Sequence, residues 1–449
     1  MQGMPPPQIV TDTVLSRVQE HFEPHRIEDL VTIERVFPAS ARPDLEDAVE
    51  NLLTDAQDVA FSGISTSRFG SQSFSGIVTD LREPTLIVAP QYMDIDTGGE
   101  TSGRCVAAAI WFFRWNGGPA ALLVGQLSRP YETKDGLRVE LVMSPAAGGR
   151  DEGQALLARL AKHLAENSVY RGQSLSFETE RSAYGGLGTL KVHRLPKVSL
   201  DQVILPARTL DVLRRTVFGF IETRDALRAH GFSTNRGLLL YGPPGTGKTH
   251  FIRYILSEIE GHTALLVTAE QVAFFDQIMA IARALQPAIV IIEDADLLAR
   301  AREDRNGDCS QALLNSLLNH MDGLTEEAEI LFVLTTNRPE TLEEAVRDRP
   351  GRIDQAIEIP KPDAECRRRL LELYRGTMEI VPEVVDECVN RTGGASAAFL
   401  RELARRMAQF SILRRGTKIE DIDMTSAFDE MLNSGNFTAA ALGANDPAI

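Results

Sequence analysis

The feature that most constrains this chain is a glycine-rich loop, Gly242-Pro243-Pro244-Gly245-Thr246-Gly247-Lys248-Thr249. An apolar run over 237–241 precedes it and helix-forming residues follow from Thr249, so the pattern predicts a strand, a loop and a helix. Backbone N–H groups of such a loop, together with the helix N-terminus, surround a polyphosphate. We expect Lys248 to reach the outer phosphates and the Thr249 hydroxyl to bind Mg²⁺. A chance Gly/Pro turn is the alternative interpretation.

Bulk composition narrows the function classes. The net charge of -16 argues against broad, sequence-independent binding of nucleic acid, although it leaves room for a local basic channel. The apolar run over 105–113 is far shorter than the roughly 20 residues of a membrane span. The first nine residues are proline-rich without a basic segment, so no signal peptide is expected. Scattered cysteines and single histidines predict a reduced, cytoplasmic protein without a transition-metal site.

Residues 1–195 predict one α+β domain. Apolar spacing predicts helices over 11–21, 44–55 and 151–167 and strands over 84–90, 104–115, 119–126, 137–143 and 190–195. Asn116-Gly117-Gly118 predicts a hairpin turn between two of the strands, and the Ser/Gly-rich stretch 61–76 predicts a mobile loop. No chemical motif is visible in this domain, and its tryptophans, Trp111 and Trp115, are interpreted as packing residues.

The remaining chain divides by pattern into four segments. Residues 196–232 predict a linker and a helix over 210–230 that Gly231 ends. Strands and helices alternate over 233–362, which is typical of a doubly wound parallel sheet in an α/β fold. Residues 363–433 predict a small helical domain, and residues 434–449 a disordered tail.

Two acidic residues follow the buried strand predicted over 288–292. Glu293 and Asp294 stand at its carboxyl end, which is where doubly wound sheets bind ligands. Phosphoryl chemistry needs one carboxylate that holds Mg²⁺ and another that orients water. The alternative is that these acids only cap a following helix.

Two further polar segments are weaker signals. The apolar run 330–334 leads through two threonines to Asn337, whose amide could hold a water molecule or a γ-phosphate oxygen. Arg349 and Arg352 lie in the charged segment 347–354. A correctly placed arginine neutralises transition-state charge and is worth about 10³–10⁵ in rate. An exposed charged loop is the plainer alternative for that segment.

In this order, the elements over about 196–433 resemble the AAA family of ATPases. The segments that carry the resemblance are the glycine-rich loop, Gly231-Phe232, 313–323, Thr335-Thr336-Asn337-Arg338-Pro339 and Arg349-Pro350-Gly351-Arg352-Ile353-Asp354. The resemblance implies an AAA core with a small helical lid, ATP and Mg²⁺ as ligands, and a homo-oligomeric ring, most often a hexamer. It also implies that His250 follows the loop at the nucleotide, that Tyr374 and Ala397 lie near the adenosine, that Asn337 is a sensor, and that Arg349 and Arg352 reach the neighbouring subunit's nucleotide.

The chain departs from the family pattern at two places. Most members carry Asp-Glu where this chain has Glu293-Asp294, and the reversed order looks like the subgroup of complex III assembly ATPases. By position Glu293 takes the Mg²⁺ role and Asp294 the water-orienting role. The segment with Phe274 and Phe275 lacks the glycine typical of a threading loop, so these rings either face a central channel or form the apolar face of a helix.

Three functions fit this resemblance. The leading hypothesis is an ATP-hydrolysing ring that remodels or assembles a protein partner, in a chaperone-like way, through the amino-terminal domain. The alternative is a nucleotide-dependent scaffold or switch with slow hydrolysis and no threading. A protease-associated unfoldase is a third possibility, although the chain ends without the Tyr-containing tail typical of that class. The acidic composition makes nucleic acid an unexpected partner.

Overall fold

The computed structural model describes residues 12–65, 73–80, 82–98, 103–127, 136–177, 190–232, 234, 236–268, 271, 274–297, 328–340 and 353–433. The chain forms two compact units, one of Met1–His193 with Asp276–Leu285 and one of Arg194–Phe275 with Gln286–Ile449. The predicted domain boundaries stay a prediction. Among the described residues, no helix has the length and apolarity needed to cross a bilayer.

A six-stranded antiparallel sheet forms the centre of the first unit. Its strands, in spatial order β1-β8-β7-β6-β2-β3, are β1 (Val31–Pro38), β8 (Gly136–Met143), β7 (Gly118–Leu127), β6 (Ala109–Trp115), β2 (Gln57–Ile64) and β3 (Ile87–Val88). Two short antiparallel pairs accompany it, β4 (Tyr92–Ile95) with β5 (Gly103–Val106) and β9 (Ser174–Phe177) with β10 (Leu190–His193).

Helices cover both faces of this sheet. They are α1 (Val14–Phe22), α2 (Arg42–Leu52), α3 (Phe74–Thr79) and α4 (Gly149–Glu166). Successive side chains of a strand point to opposite faces, so Phe113 packs in the core with α2 and α4, whereas Phe112 packs in the core with α1 and α3. Because both faces are covered, β6 is apolar except at Arg114, and β8 is buried throughout although it carries Arg138 and Glu140.

Three predictions for this unit need correction. The predicted strand over 104–115 is two strands, because Ala107 and Ala108 separate β5 from β6. The hairpin turn contains only Asn116 and Gly117, both with positive φ, and Gly118 already pairs with Trp115. The predicted loop over 61–76 is wrong at both ends, since its first four residues belong to β2 and its last three to α3. The intervening residues 66–72 lie outside the described part of the chain.

The second unit contains five parallel strands with helices, which confirms the predicted α/β core. The spatial order is β12-β13-β14-β11-β15, comprising β12 (Thr263–Val267), β13 (Ala288–Ile292), β14 (Ile330–Thr336), β11 (Arg236–Tyr241) and β15 (Gln355–Glu358). β11, the first of these five strands along the chain, therefore lies inside the sheet, where the strand order reverses and doubly wound folds bind ligands. Helix α7 (Lys248–Glu258) follows β11, and α8 (Phe275–Ala284), nearly all of which belongs to the first unit, follows β12 in the chain.

A leading helix and a helical lid flank these strands in the chain. The predicted helix over 210–230 is α5 (Ala207–Arg214), a π-helical turn (Arg215–Gly219) and α6 (Phe220–Ala229), and Gly231 beyond its end has a φ of 79°. The lid comprises α9 (Ala364–Tyr374), α10 (Pro382–Arg391), α11 (Ala397–Leu413) and α12 (Asp421–Asn433), with the short parallel pair β16 (Glu379–Ile380) and β17 (Lys418–Ile419). Its own apolar core includes Phe399 and Phe428.

Candidate functional site

The glycine-rich loop turns tightly between β11 and α7. Gly242 has a φ of 145°, and a Cβ on it would lie 2.3 Å from the carbonyl oxygen of Ile359. Gly247 has a φ of 109° and is the N-cap of α7. Both conformations favour glycine. The helix N-terminus is therefore held next to an open loop, which is the geometry that binds phosphate groups.

Lys248 is buried inside this loop, and its ammonium group has three acceptors. The Nζ atom donates to the carbonyl oxygens of Gly242 and Pro243 at 2.8 and 3.0 Å and to Oδ1 of Asn337 at 2.7 Å. Burial lowers the pKa of Lys248, and the nearby charges of Asp294 and Asp296 oppose that change. Because a lysine has only three donors, each is already in use in this arrangement.

Asn337 connects the lysine to the acidic pair. Its Nδ2 atom donates to Oδ1 of Asp294 at 3.1 Å, while its Oδ1 atom accepts from Lys248. The three side chains come from the carboxyl ends of β13 and β14 and from the start of α7. The structure thus joins three of the site residues predicted from sequence in one hydrogen-bonded chain.

The two acids differ in their surroundings. Asp294 is exposed and has a φ of 50°, in the left-handed region. Glu293 is partly buried, and among the described residues its buried Oε1 atom has no hydrogen-bond partner. A buried carboxylate oxygen without a donor is costly unless a cation or donor satisfies it. The environment of Glu293 therefore fits a ligand of a hard cation such as Mg²⁺.

Asp296 is a residue of this site that sequence reasoning missed. It is only 4% exposed, and its Oδ1 atom accepts from the backbone N–H of Asn337 at 3.2 Å and from Oγ1 of Thr336 at 3.1 Å. These contacts fix the backbone from which the Asn337 side chain extends. The available signal was a third carboxylate two residues after Asp294, and its role depends on a loop geometry that spacing does not reveal.

The lid contacts the glycine-rich loop directly. The N–H of Ala398 donates to the carbonyl oxygen of Gly245 at 3.0 Å, and a Cβ on Gly245 would lie 2.8 Å from the Cβ of Ala398. Ala397 is buried at the start of α11. Tyr374 is partly buried against the lid core, and burial raises its pKa. The glycine-rich loop and the first turn of α11 therefore form adjoining walls of the candidate site.

The other predicted site residues fall into two groups. Thr246 is buried and donates from Oγ1 to the Pro243 carbonyl oxygen at 3.0 Å, whereas Pro244 and Thr249 are exposed. The ring Nε2 of His250 lies 3.0 Å from the carbonyl oxygen of Gln202, so that ring contacts the preceding linker. Arg349 and Arg352, like the 313–323 segment, lie outside the described residues.

The two candidate channel aromatics differ in burial. Phe275, the first residue of α8, is 2% exposed, whereas Phe274 is partly buried. A ring as deeply buried as that of Phe275 is part of a packed interior. This burial agrees with the alternative in which the pair forms the apolar face of a helix.

This chain is also similar in sequence to known proteins. Residues 238–361 match the family model described as "ATPase family associated with various cellular activities (AAA)". A cell division cycle protein 48 homolog of Archaeoglobus fulgidus is 29% identical over 49% of this chain and 31% of the relative. Proteasome-activating nucleotidase 2 of Halobacterium salinarum is 30% identical over 55% of this chain and 63% of the relative. Protein SAV of Sulfolobus acidocaldarius is 31% identical over 49% of this chain and 29% of the relative.

These alignments are partial on both sides. They include about half of this chain and less than two thirds of each relative's own length. Similarity to each relative therefore concerns a shared portion rather than the whole protein.

Proposed function

We propose that this chain, a member of the AAA family of ATPases through its residues 238–361, binds ATP with Mg²⁺ and hydrolyses the ATP to ADP and phosphate. The family match confirms the predicted resemblance and the predicted α/β core, and an ATPase is the enzyme class of that family. The likeness to the complex III assembly subgroup stays a prediction.

One observation carries this proposal: the contact of Lys248, Asn337 and Asp294 beside the glycine-rich loop. Phosphoryl transfer to water requires a cation that binds the phosphate oxygens. It also requires polar groups that position the water, here an amide and a carboxylate. Apart from its chain neighbours, no heavy atom of the described chain lies within 4 Å of where a Cβ on Gly247 would stand, so the loop backbone there is accessible to phosphate groups. ATP is the substrate that best suits these three side chains and the glycine-rich loop.

Thr249 and Glu293 are the residues that would hold Mg²⁺. A bound Mg²⁺ would neutralise charge on the phosphate oxygens during transfer. Glu293 supports this role because the buried Oε1 has no donor among the described residues. The exposed Thr249 hydroxyl stands in the first turn of α7, next to Lys248.

Asp294 would orient the attacking water, and Asn337 would hold Asp294 in place. Aspartate is one methylene shorter than the glutamate usual at this position, and a misplacement of about 1 Å can cost on the order of 100-fold in rate. We therefore propose slow hydrolysis. Vigorous turnover by the purified protein would contradict this part.

A homo-oligomer, most simply a hexameric ring, is the proposed assembly. Arg349 and Arg352 would complete the neighbouring subunit's site, in the way the family resemblance implies. Three large apolar side chains of the lid, Ile412, Leu413 and Ile422, are more than 60% exposed, which supports a buried contact in an assembly. Mass photometry with and without ATP measures the subunit number directly.

The proposed biological role is remodelling or assembly of a protein partner that the amino-terminal unit engages. Binding of ATP and ADP with different affinities to two states of the ring would move that unit. The scaffold or switch without threading is the second candidate, and the burial of Phe275 favours it because a packed ring does not line a channel. A protease-associated unfoldase remains a third prediction, as does the cytoplasmic location.

Two substitutions test the proposal. Lys248→Ala should abolish ATP binding in calorimetry, because the loop loses its only ammonium group. Asp294→Asn should keep ATP binding and lose phosphate release, because it retains an oxygen for Asn337 but lacks the charge. Asp225→Asn, at an exposed position of α6, is the matched control and should behave as wild type. ATP binding that survives Lys248→Ala would refute the proposed site.

A further inference from the structure

The first unit carries an apolar groove, separate from the glycine-rich loop, at one edge of its sheet. Its volume is about 270 Å³, and its lining residues are Glu46, Glu50, Leu53, Val59, Phe61 and Trp111. The rings of Phe61 and Trp111 pack together with centroids 4.9 Å apart. Val59 is 47% exposed and Phe61 is 36% exposed, although both are large apolar side chains. Exposed aromatic and aliphatic groups around a concavity are typical of a binding surface.

Strand β2, which carries Val59 and Phe61 of the groove, also has an edge that is partly unpaired within the described part of the chain. β2 pairs with β6 along one side, and β3 pairs only with Gly63 and Ile64 on the other. Along residues 57–62 the outer edge has no neighbouring strand among the described residues. An exposed edge offers backbone N–H and C=O groups to an added strand. A bulge between Gln57 and Ala60 and the left-handed Asp58 limit that pairing to a short segment.

The charge of the groove is negative. Glu46 and Glu50 are one turn apart on α2, so their carboxylates stand on the same helix face. Neither forms an ion pair within the described ranges, and the pKa of Glu46 is raised by burial and by the charge of Glu50. A cation placed between them would offset the repulsion of the two carboxylates. The ring of Phe61, which is 36% exposed, also attracts cations.

We propose that this groove binds an extended segment of a partner protein that carries a lysine or arginine next to a large apolar side chain. The apolar side chain packs on Val59, Phe61 and Trp111, the cation lies between Glu46 and Glu50, and the segment's backbone pairs with the outer edge of β2. This inference rests on the proposed function, in which the amino-terminal unit engages a protein partner, and it names the chemistry of that partner.

Charge decides between this occupant and two others. An anionic membrane surface would be repelled by Glu46 and Glu50. A second copy of this chain would bring the same two carboxylates to the contact in a symmetric dimer, since each copy uses the same surface patch. A basic and apolar segment satisfies both the carboxylates and the apolar floor.

The test uses the full-length chain and a phage-displayed library of random twelve-residue peptides. Enriched peptides should place Lys or Arg beside Phe, Leu, Ile or Trp, and fluorescence anisotropy gives their affinities. Glu46→Gln with Glu50→Gln should weaken binding about tenfold. Val59→Thr should weaken it by a similar factor, and this mild exchange preserves the strand.

Matched control variants distinguish an effect at the groove from a general effect of the substitutions. Val36→Thr is the equivalent exchange on β1, the other edge strand, where Val36 is 46% exposed. Glu383→Gln with Glu387→Gln removes two exposed carboxylates at the same spacing on α10. Both controls should bind within about twofold of wild type.

Several outcomes would overturn the inference. They are enrichment of acidic or uncharged peptides, no enrichment by protein that still binds ATP, or equal losses in the groove and control variants. Self-association that Val59→Thr abolishes would assign the groove to a second copy instead. Peptide binding by protein that binds no ATP would leave the groove intact and refute only the proposed ATPase function.

Discussion

Asn337→Ala is the substitution that best tests the hydrogen-bonded chain in the nucleotide site. Asn337 accepts from Lys248 and donates to Asp294, so the change removes both contacts at once. The two losses should act in opposite directions. Without its side-chain acceptor, Lys248 is more available to phosphate oxygens, whereas Asp294 loses the group that holds its carboxylate.

The structure sets the expected magnitudes. Each of the three Lys248 hydrogen bonds involves a charged donor and contributes about 1.5–3 kcal/mol. Binding of a phosphate oxygen needs at least one of these donors, and the 2.7 Å bond to Asn337 is the one that uses a side chain. If ATP binding costs about 1.4 kcal/mol because this hydrogen bond must break, a variant that lacks the bond does not have that cost. Its ATP affinity should then be about tenfold tighter. Loss of the contact to Asp294 should slow hydrolysis by about 10–100-fold.

Calorimetry with a non-hydrolysable ATP analogue and single-turnover phosphate release measure the two effects separately. Asn337→Asp is the matched control: it keeps an acceptor for Lys248, removes the donor to Asp294 and adds a like charge. We expect it to slow hydrolysis without tightening binding. If Asn337→Ala weakens binding as much as Lys248→Ala, or leaves hydrolysis unchanged, the assigned contacts do not govern the site.

Gly242→Ala should lower the free energy of unfolding by about 2–4 kcal/mol, because it adds a clash with a backbone carbonyl 2.3 Å away to the strain of a positive φ. Gly261→Ala, with positive φ and open space, should lose only about 1 kcal/mol in the same urea titration; equal losses would contradict the clash. Two neighbouring arginines hold the pKa of Glu402 at about 2, so its stabilisation exists above the ordinary value of 4.5 and is lost as pH falls toward 2. Glu402→Gln should therefore lower the thermal midpoint at pH 7, and a difference that stays constant below pH 4.5 would exclude this ion pair as the cause. Arg352→Ala mixed with Lys248→Ala should recover ATP hydrolysis if the arginine acts on a neighbour's nucleotide, and no recovery in a formed ring would refute action in trans.

Fold elements were predictable from sequence where burial made them apolar. β6, β13 and β14 are buried along most or all of their length, and their apolar runs predicted them. β1 and β2 lie at or near the edges of their sheet and mix exposed with buried residues, so neither shows a clear strand period. An edge strand is held by backbone pairing and by one neighbour, which leaves little trace in composition.

The candidate site shows the same division. The positions of the glycine-rich loop, the two acidic residues and Asn337 could be predicted, because each follows an apolar strand whose carboxyl end is fixed by the parallel sheet. The contacts of the Asp296 carboxylate and the Thr335 hydroxyl could not be predicted, because they depend on how the segments after β13 and β14 turn toward each other. Thr335 accepts from the backbone N–H of Asp294 at 3.0 Å, a contact that no spacing rule contains.

The backbone after β13 gives a physical reason for the reversed order of the two acids. Glu293 still continues the strand, since its N–H donates to the carbonyl oxygen of Val267 at 3.4 Å. At Asp294 the backbone turns into the left-handed region, which short Asp and Asn side chains tolerate better than longer ones. Thr335 fixes this turn by accepting from the N–H groups of both Asp294 and Ala295. With this turn, Oδ1 of Asp294 lies 3.1 Å from Nδ2 of Asn337. We expect this backbone turn to compensate for part of the missing methylene, and hydrolysis to be slowed by less than the roughly 100-fold that a 1 Å misplacement alone implies.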